Sequence, residues 1–129
     1  MIVGTGIDIA EVDRVAASIE RFGIRFLERV FTAAEIRYCE SKANKAERYA
    51  GRFAAKEAAM KAIGTGWSRG VRWQDVEVTR VPGGRPTITF HGKAKDFFHK
   101  LGAVHAHLSI THTRQSALAQ VILETGERR

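Results

Sequence analysis

The chain has 129 residues, 44% of them hydrophobic, which suits one domain spanning 1–129 and leaves no room for a second core. A lone cysteine, Cys39, excludes an intrachain disulfide and fits a reducing compartment; no apolar run nears the roughly 20 residues of a membrane span, and Met1–Ala10 lacks the basic region and cleavage site of a signal peptide, so the expectation is a soluble, cytoplasmic chain. The formal charge of +7 favours a polyanionic partner (nucleic acid, an anionic ligand or an acidic protein) without choosing among them.

Residues 2–10 read as a strand, with Ile7 and Ile9 on one face and Gly4, Gly6 and Asp8 on the other. A helix follows from about Glu11 to Phe22. Val12, Val15, Ala16, Ile19 and Phe22 form its apolar stripe, and Gly23 is placed to stop it. Phe31-Thr32-Ala33-Ala34-Glu35-Ile36 carries a capping box from Thr32 to Glu35 and a hydrophobic staple from Phe31 to Ile36, opening a helix that runs to about Glu40. A longer Ala-rich helix covers about Ala46 to Ile63. Gly64 to Gly70 is a loop. Val76–Val81 and Thr87–Phe90 flank the turn Pro82-Gly83-Gly84-Arg85-Pro86 as a hairpin. A short helix at Lys93–Leu101 and strands at Val104–Thr111 and Ala117–Leu123 complete the series. This order does not alternate as a doubly wound fold does; it predicts an α+β fold, with an antiparallel sheet packed against helices.

Several features stand out chemically. Asp8 lies inside an apolar strand. It either faces solvent, satisfies backbone donors of the next helix, or meets a cation, since a bare buried charge costs several kcal/mol or more. Ala50, Ala54, Glu57 and Lys61 fall on one narrow helical face, which is either a close-approach surface for a ligand or an ordinary i, i+4 surface pair. Arg52 and Lys56 lie on another side of that helix, as a solvated basic ridge or a phosphate-holding one. On the first helix, Arg14, Ser18 and Arg21 line the face opposite the apolar stripe, and Arg25 extends the line if the helix passes Gly23. So basic a stripe is either a solvated face or a docking surface for an acidic helix. Residues 107–112 are an alternating strand end, with His112 where the hairpin turns. No zinc spacing and no Ser-His-Asp pattern is present, and Gly64-Thr65-Gly66 follows a helix rather than a strand, unlike a phosphate-binding P-loop.

Gly6-Ile7-Asp8-Ile9-Ala10-Glu11-Val12, then Arg52-Phe53-Ala54-Ala55-Lys56-Glu57-Ala58-Ala59-Met60-Lys61-Ala62, then Ser109-Ile110-Thr111-His112 together resemble the short, bacterial-type 4′-phosphopantetheinyl transferases, the holo-[acyl-carrier-protein] synthase group. The likeness runs from about Ile2 to Glu124. It implies that Asp8 and Glu57 are Mg²⁺ ligands, that these two and Lys61 are catalytic, and that Arg52, Lys61, Gly64, Gly66, Arg85, Pro86 and His112 help hold coenzyme A. It implies that Arg14, Arg21 and Arg25 dock an acyl carrier protein. It further implies a homotrimer with active sites between subunits, Asp8 coming from one chain and Glu57 from its neighbour. The larger members of the superfamily carry a second acid two residues after the aspartate; here that position is Ala10. Thr111 stands where many relatives have Ser. The implied reaction transfers phosphopantetheine from coenzyme A to a carrier serine and releases 3′,5′-ADP, in support of fatty acid or polyketide synthesis, with no nucleic acid and no membrane involved. The alternatives are a small basic nucleic-acid-binding module and a subunit that binds coenzyme A without catalysis.

Overall fold

A computed structural model describes residues 1–126. Strand β1 (Ile2–Glu11) leads into α1 (Val12–Phe22), α2 (Ile24–Val30), α3 (Ala33–Glu40) and the long α4 (Lys45–Ala62). The hairpin β2 (Val76–Arg80) and β3 (Pro86–Phe90) is followed by α5 (Gly92–Lys100), β4 (His105–His112) and β5 (Ser116–Glu124). Two antiparallel sheets form, one in the order β1-β5-β4 and one of β2 and β3 alone. The α+β expectation holds, with two sheets in place of one.

The expected boundaries hold to within a residue or two. Helix α2 is the addition. At seven residues it is too short to show a helical period, and Gly23, at φ 61°, both ends α1 and opens α2. Arg25 therefore lies on a separate helix and does not continue the α1 stripe. The capping box of α3 forms as the pattern requires: the Thr32 side chain accepts from the Glu35 amide at 3.2 Å, and the Glu35 carboxylate accepts from the Thr32 amide at 2.8 Å.

Helix α4 is the spine of the core. Ala50, Ala54, Ala55, Ala58 and Ala59 are fully buried, against Ala117, Ala119, Val121 and Leu123 of β5 among others. Along β1 it is the glycine face that packs inward. A Cβ on Gly6 would overlap the Ala58 carbonyl oxygen, and one on Gly4 the Ala62 carbonyl oxygen. Two strand residues advance about 6.6 Å and four helix residues about 6 Å, so each glycine meets the next alanine along the series. Ile7 and Ile9, on the opposite face, are 54% and 60% exposed.

Candidate active site

The step that sets Gly4 on Ala62 and Gly6 on Ala58 carries Asp8, two residues further, to the helical turn containing Glu57. The side chains meet there. Lys61 Nζ donates to Asp8 Oδ1 at 2.7 Å and to the Ile7 carbonyl at 3.1 Å. The Asp8 side chain is 15% exposed and that of Lys61 54%. Glu57 is half-buried, and its carboxyl lies against that of Asp8. Burial first, then a hydrogen bond to Asp8 and the Asp8 charge, push its pKa up to about 7. The Lys61 ammonium is held charged above its ordinary range by the hydrogen bond to Asp8 and by its charge. Two carboxylates and one ammonium therefore converge within a single chain. The expectation that Asp8 and Glu57 come from different subunits is corrected: the tight glycine–alanine packing of β1 on α4 delivers both from one.

The other expected positions fall into separate places. Gly64 and Gly66 form the turn directly after α4, at φ 83° and 57°, with open space where a side chain would stand. Their amides donate back to Lys61 O at 3.1 Å and Met60 O at 3.2 Å. Arg52 and His112 do come together, in a small cleft also lined by Glu47, Arg48, Arg80 and Ile110. His112 Nδ1 lies 2.9 Å from Glu47 Oε1. Arg85 and Pro86 close the hairpin turn, and Pro86 pairs across the ladder with Arg80, which reaches that same cleft. Arg14 is exposed on α1, 3.3 Å from Glu11, and the Arg21 guanidinium stands 5.2 Å from the centre of the Phe22 ring.

The solvated basic ridge of Arg52 and Lys56 is also corrected. Both are buried. Arg52 packs its guanidinium 4.0 Å from the centre of the Tyr38 ring, and its Nε has no hydrogen-bond partner. Lys56 is wholly enclosed, 2.9 Å from Glu35 Oε1, and donates to the carbonyls of Trp73 (3.2 Å) and Val76. Glu35 also accepts from the Val78 amide at 2.7 Å. The capping acid of α3 thus binds α4 and β2 together, a role its place in a capping box does not announce.

An Asp–Glu pair with an adjacent lysine thus converges within one chain, and an arginine-lined cleft lies apart from it. Residues 4–121 match the 4′-phosphopantetheinyl transferase superfamily. The chain is 67% identical over 124 residues, 96% of its own length and 99% of the other, to the holo-[acyl-carrier-protein] synthase of Koribacter versatilis, and 60% identical, with the same coverage, to that of Solibacter usitatus. Its fold is similar to that of the Helicobacter pylori holo-[acyl-carrier-protein] synthase in complex with coenzyme A, with TM-score 0.81, 31% identity, 93% of this chain covered and 99% of that one. The Neisseria meningitidis synthase superposes with TM-score 0.86, 30% identity, 97% of this chain covered and 100% of that one. The chain belongs to the holo-[acyl-carrier-protein] synthase family of phosphopantetheinyl transferases.

Proposed function

We propose that this chain transfers the 4′-phosphopantetheine group of coenzyme A to a serine of an apo acyl carrier protein, with Mg²⁺, releasing 3′,5′-ADP. The observation that carries the reading is the Asp8–Glu57 pair. Two carboxyl groups pressed together until one holds a proton near neutrality are a cation site in waiting. The donors are hard oxygens, as Mg²⁺ prefers, and Mg²⁺ commonly takes only one or two carboxylates with water and substrate phosphate around them. Asp8 and Glu57 would hold it, and the ion would supply charge neutralisation on the pyrophosphate as the bond to the leaving nucleotide breaks.

The chain's own groups do the rest. Lys61, tethered to Asp8 yet half exposed, stands ready to meet the phosphoryl group being transferred. The serine oxygen forms a bond to that phosphorus while the bond to the oxygen of 3′,5′-ADP breaks, and the serine proton is released to solvent. Gly64 and Gly66 let the ligand approach the backbone closely. Arg52, Arg85, Pro86 and His112 hold the nucleotide end. Because Arg52 and His112 line a cleft that none of Asp8, Glu57 and Lys61 lines, a neighbouring subunit completes the site, in keeping with a trimer that has active sites between chains. The exposed isoleucine face of β1 supplies an apolar surface for that assembly. Arg14, Arg21 and Arg25 face the acidic carrier. The whole chain, 1–129, acts as one cytoplasmic domain, and no helix among the described residues is long and apolar enough to cross a membrane.

The test is to incubate the protein with an apo carrier, coenzyme A and Mg²⁺ and to weigh the carrier. The expected result is a gain of one phosphopantetheinyl group, with 3′,5′-ADP released in equal amount and both lost on adding EDTA. An unmodified carrier, across fatty acid and polyketide types, would overturn the reading.

A further inference from the structure

Helix α4 and strand β4 approach closely enough to fix a further pair of side chains. A Cβ on Gly51 would come within 3.2 Å of the Ile110 side chain, so the two backbones lie near each other there. Glu47 is one helical turn back from Gly51, about 6 Å along the axis. His112 is two strand residues on from Ile110, about 6.6 Å. The two therefore meet. His112 Nδ1 stands 2.9 Å from Glu47 Oε1, with side chains 26% and 22% exposed. Asn44 Nδ2 donates to the same oxygen at 3.5 Å, and Arg48 Nε donates to Asn44 Oδ1 at 3.2 Å.

This pair borders a small cleft of about 90 Å³, also lined by Arg48 and Arg52 of α4 and Arg80 of β2. Around His112 the cleft thus holds three cations and one anion. By charge alone, a carboxylate there works against an anionic ligand. Yet among the described residues its ion pair is with the histidine and with none of the arginines. That contact constrains the ring. An ionised carboxylate only accepts hydrogen bonds, so Nδ1 carries the proton between the two. With Nδ1 engaged, Nε2 is the nitrogen left for a ligand. An ionised phosphate offers acceptor oxygens alone, so Nε2 bonds it only by carrying a proton as well. A ring held between two such acceptors is an imidazolium, and its bond to phosphate is charge-assisted.

We propose that Glu47 is a positioning residue of this cleft: it takes the Nδ1 proton of His112, so that the ring meets a phosphate of the ligand as a cation through Nε2. This rests on the reading above that the cleft holds the nucleotide end of coenzyme A. The probe is 3′,5′-ADP, which is that end alone, used without metal so that no cation joins Asp8 and Glu57. Work at pH 8 lies above the ordinary range of histidine and leaves the phosphates ionised. In ¹⁵N spectra of the wild-type complex, with the His112 signals assigned by their loss in His112→Asn, both ring nitrogens are expected to be protonated. In the Glu47→Gln complex only one should be. A carboxylate that did nothing but repel would, on removal, tighten the binding of 3′,5′-ADP. The expectation is the reverse: Glu47→Gln should raise the calorimetric Kd roughly five- to tenfold, the difference between a charge-assisted and a neutral hydrogen bond. If Glu47→Gln fails to fold, the wild-type spectrum decides alone. A single ring proton on His112 in the wild-type complex, two in the Glu47→Gln complex, or unchanged or tighter binding in that variant overturns the proposal. A folded wild-type chain that binds no 3′,5′-ADP overturns the reading of the cleft itself, and is recognised because no complex forms.

Discussion

Two of the lysine–carboxylate pairs on helix α4 stand in contrast. Lys56 meets Glu35 at 2.9 Å with both side chains fully enclosed, and Lys61 meets Asp8 at 2.7 Å with the lysine half in water. The inner pair is saturated: the ammonium has two carbonyls besides its carboxylate, and the carboxylate has two backbone amides besides its ammonium. The outer pair is not saturated, since a second carboxyl, Glu57, is pressed against Asp8 and pushed up to about 7. A satisfied buried pair gives specificity to the packing around it. An unsatisfied, half-exposed one keeps capacity for a ligand. The same residue types on one helix thus divide between architecture and chemistry, and burial decides which is which.

The sharpest way to break this comparison is to neutralise each side. Asp8→Asn and Glu57→Gln are expected to lower transfer by at least about 10²–10³-fold, the range for losing one group that stabilises transition-state charge, with melting temperatures close to wild type. Near-wild-type transfer in either variant would remove that group from the chemistry. Lys56→Met is expected to do the opposite. It strands a buried carboxylate at a cost of about 3–5 kcal/mol, read by urea unfolding, while the molecules that remain folded keep their affinity for coenzyme A. Adding Glu35→Gln to it should recover part of the loss, because the stranded charge is gone. A single variant as stable as wild type would show the inner pair to be dispensable.

A smaller effect is expected at the contact that aligns the outer pair. Gly6→Ala drives a methyl group into the Ala58 carbonyl, and overpacking of this kind costs about 1–3 kcal/mol. Since β1 must then lift from α4, activity should fall further than stability does, as misplacement at a catalytic centre is amplified. Equal activity per folded molecule would mean that Asp8 keeps its place without the glycine contact.

Much of this was legible in the chain itself. The strand and helix periods, the Thr32–Glu35 box and the Gly23 stop are local signals, and local signals survive folding. That Glu57 and Lys61 share a helical face was legible from spacing, but Asp8 was joined to Glu57 only through the resemblance, and then across subunits, because residues 8 and 57 are brought together by packing and not by spacing. Lys56 and Arg52 were misread as a solvated ridge for a related reason. Helical angle says which way a side chain points, but α3, β2 and the Trp73 carbonyl, which cover that side, arrive from elsewhere in the sequence. Helix α2 was missed because seven residues are too few to show a period, and Glu47 because packing, not spacing, joins it to His112.

The finest test of the contrast is its response to pH. Glu57 holds its proton more tightly in the folded chain than in the unfolded one, about 7 against 4.5. Between those values the native state binds more protons, so this group makes the metal-free protein less stable as pH rises through the window. The amplitude is small, because the carboxyl is half in water and partly screened. On the proposed reading Mg²⁺ competes with that proton. Its stabilising effect should therefore grow as pH rises from about 6 to about 8 and then level off, a shift of a few degrees in melting temperature. Glu57→Gln should flatten this Mg²⁺ trend, and Lys56→Met, which removes an ammonium bonded to Glu35 and not to Asp8, should leave its shape intact. Melting curves over pH with and without Mg²⁺ make the measurement. An increment from Mg²⁺ that is equal at both ends of the range would mean that Glu57 is not where the cation binds.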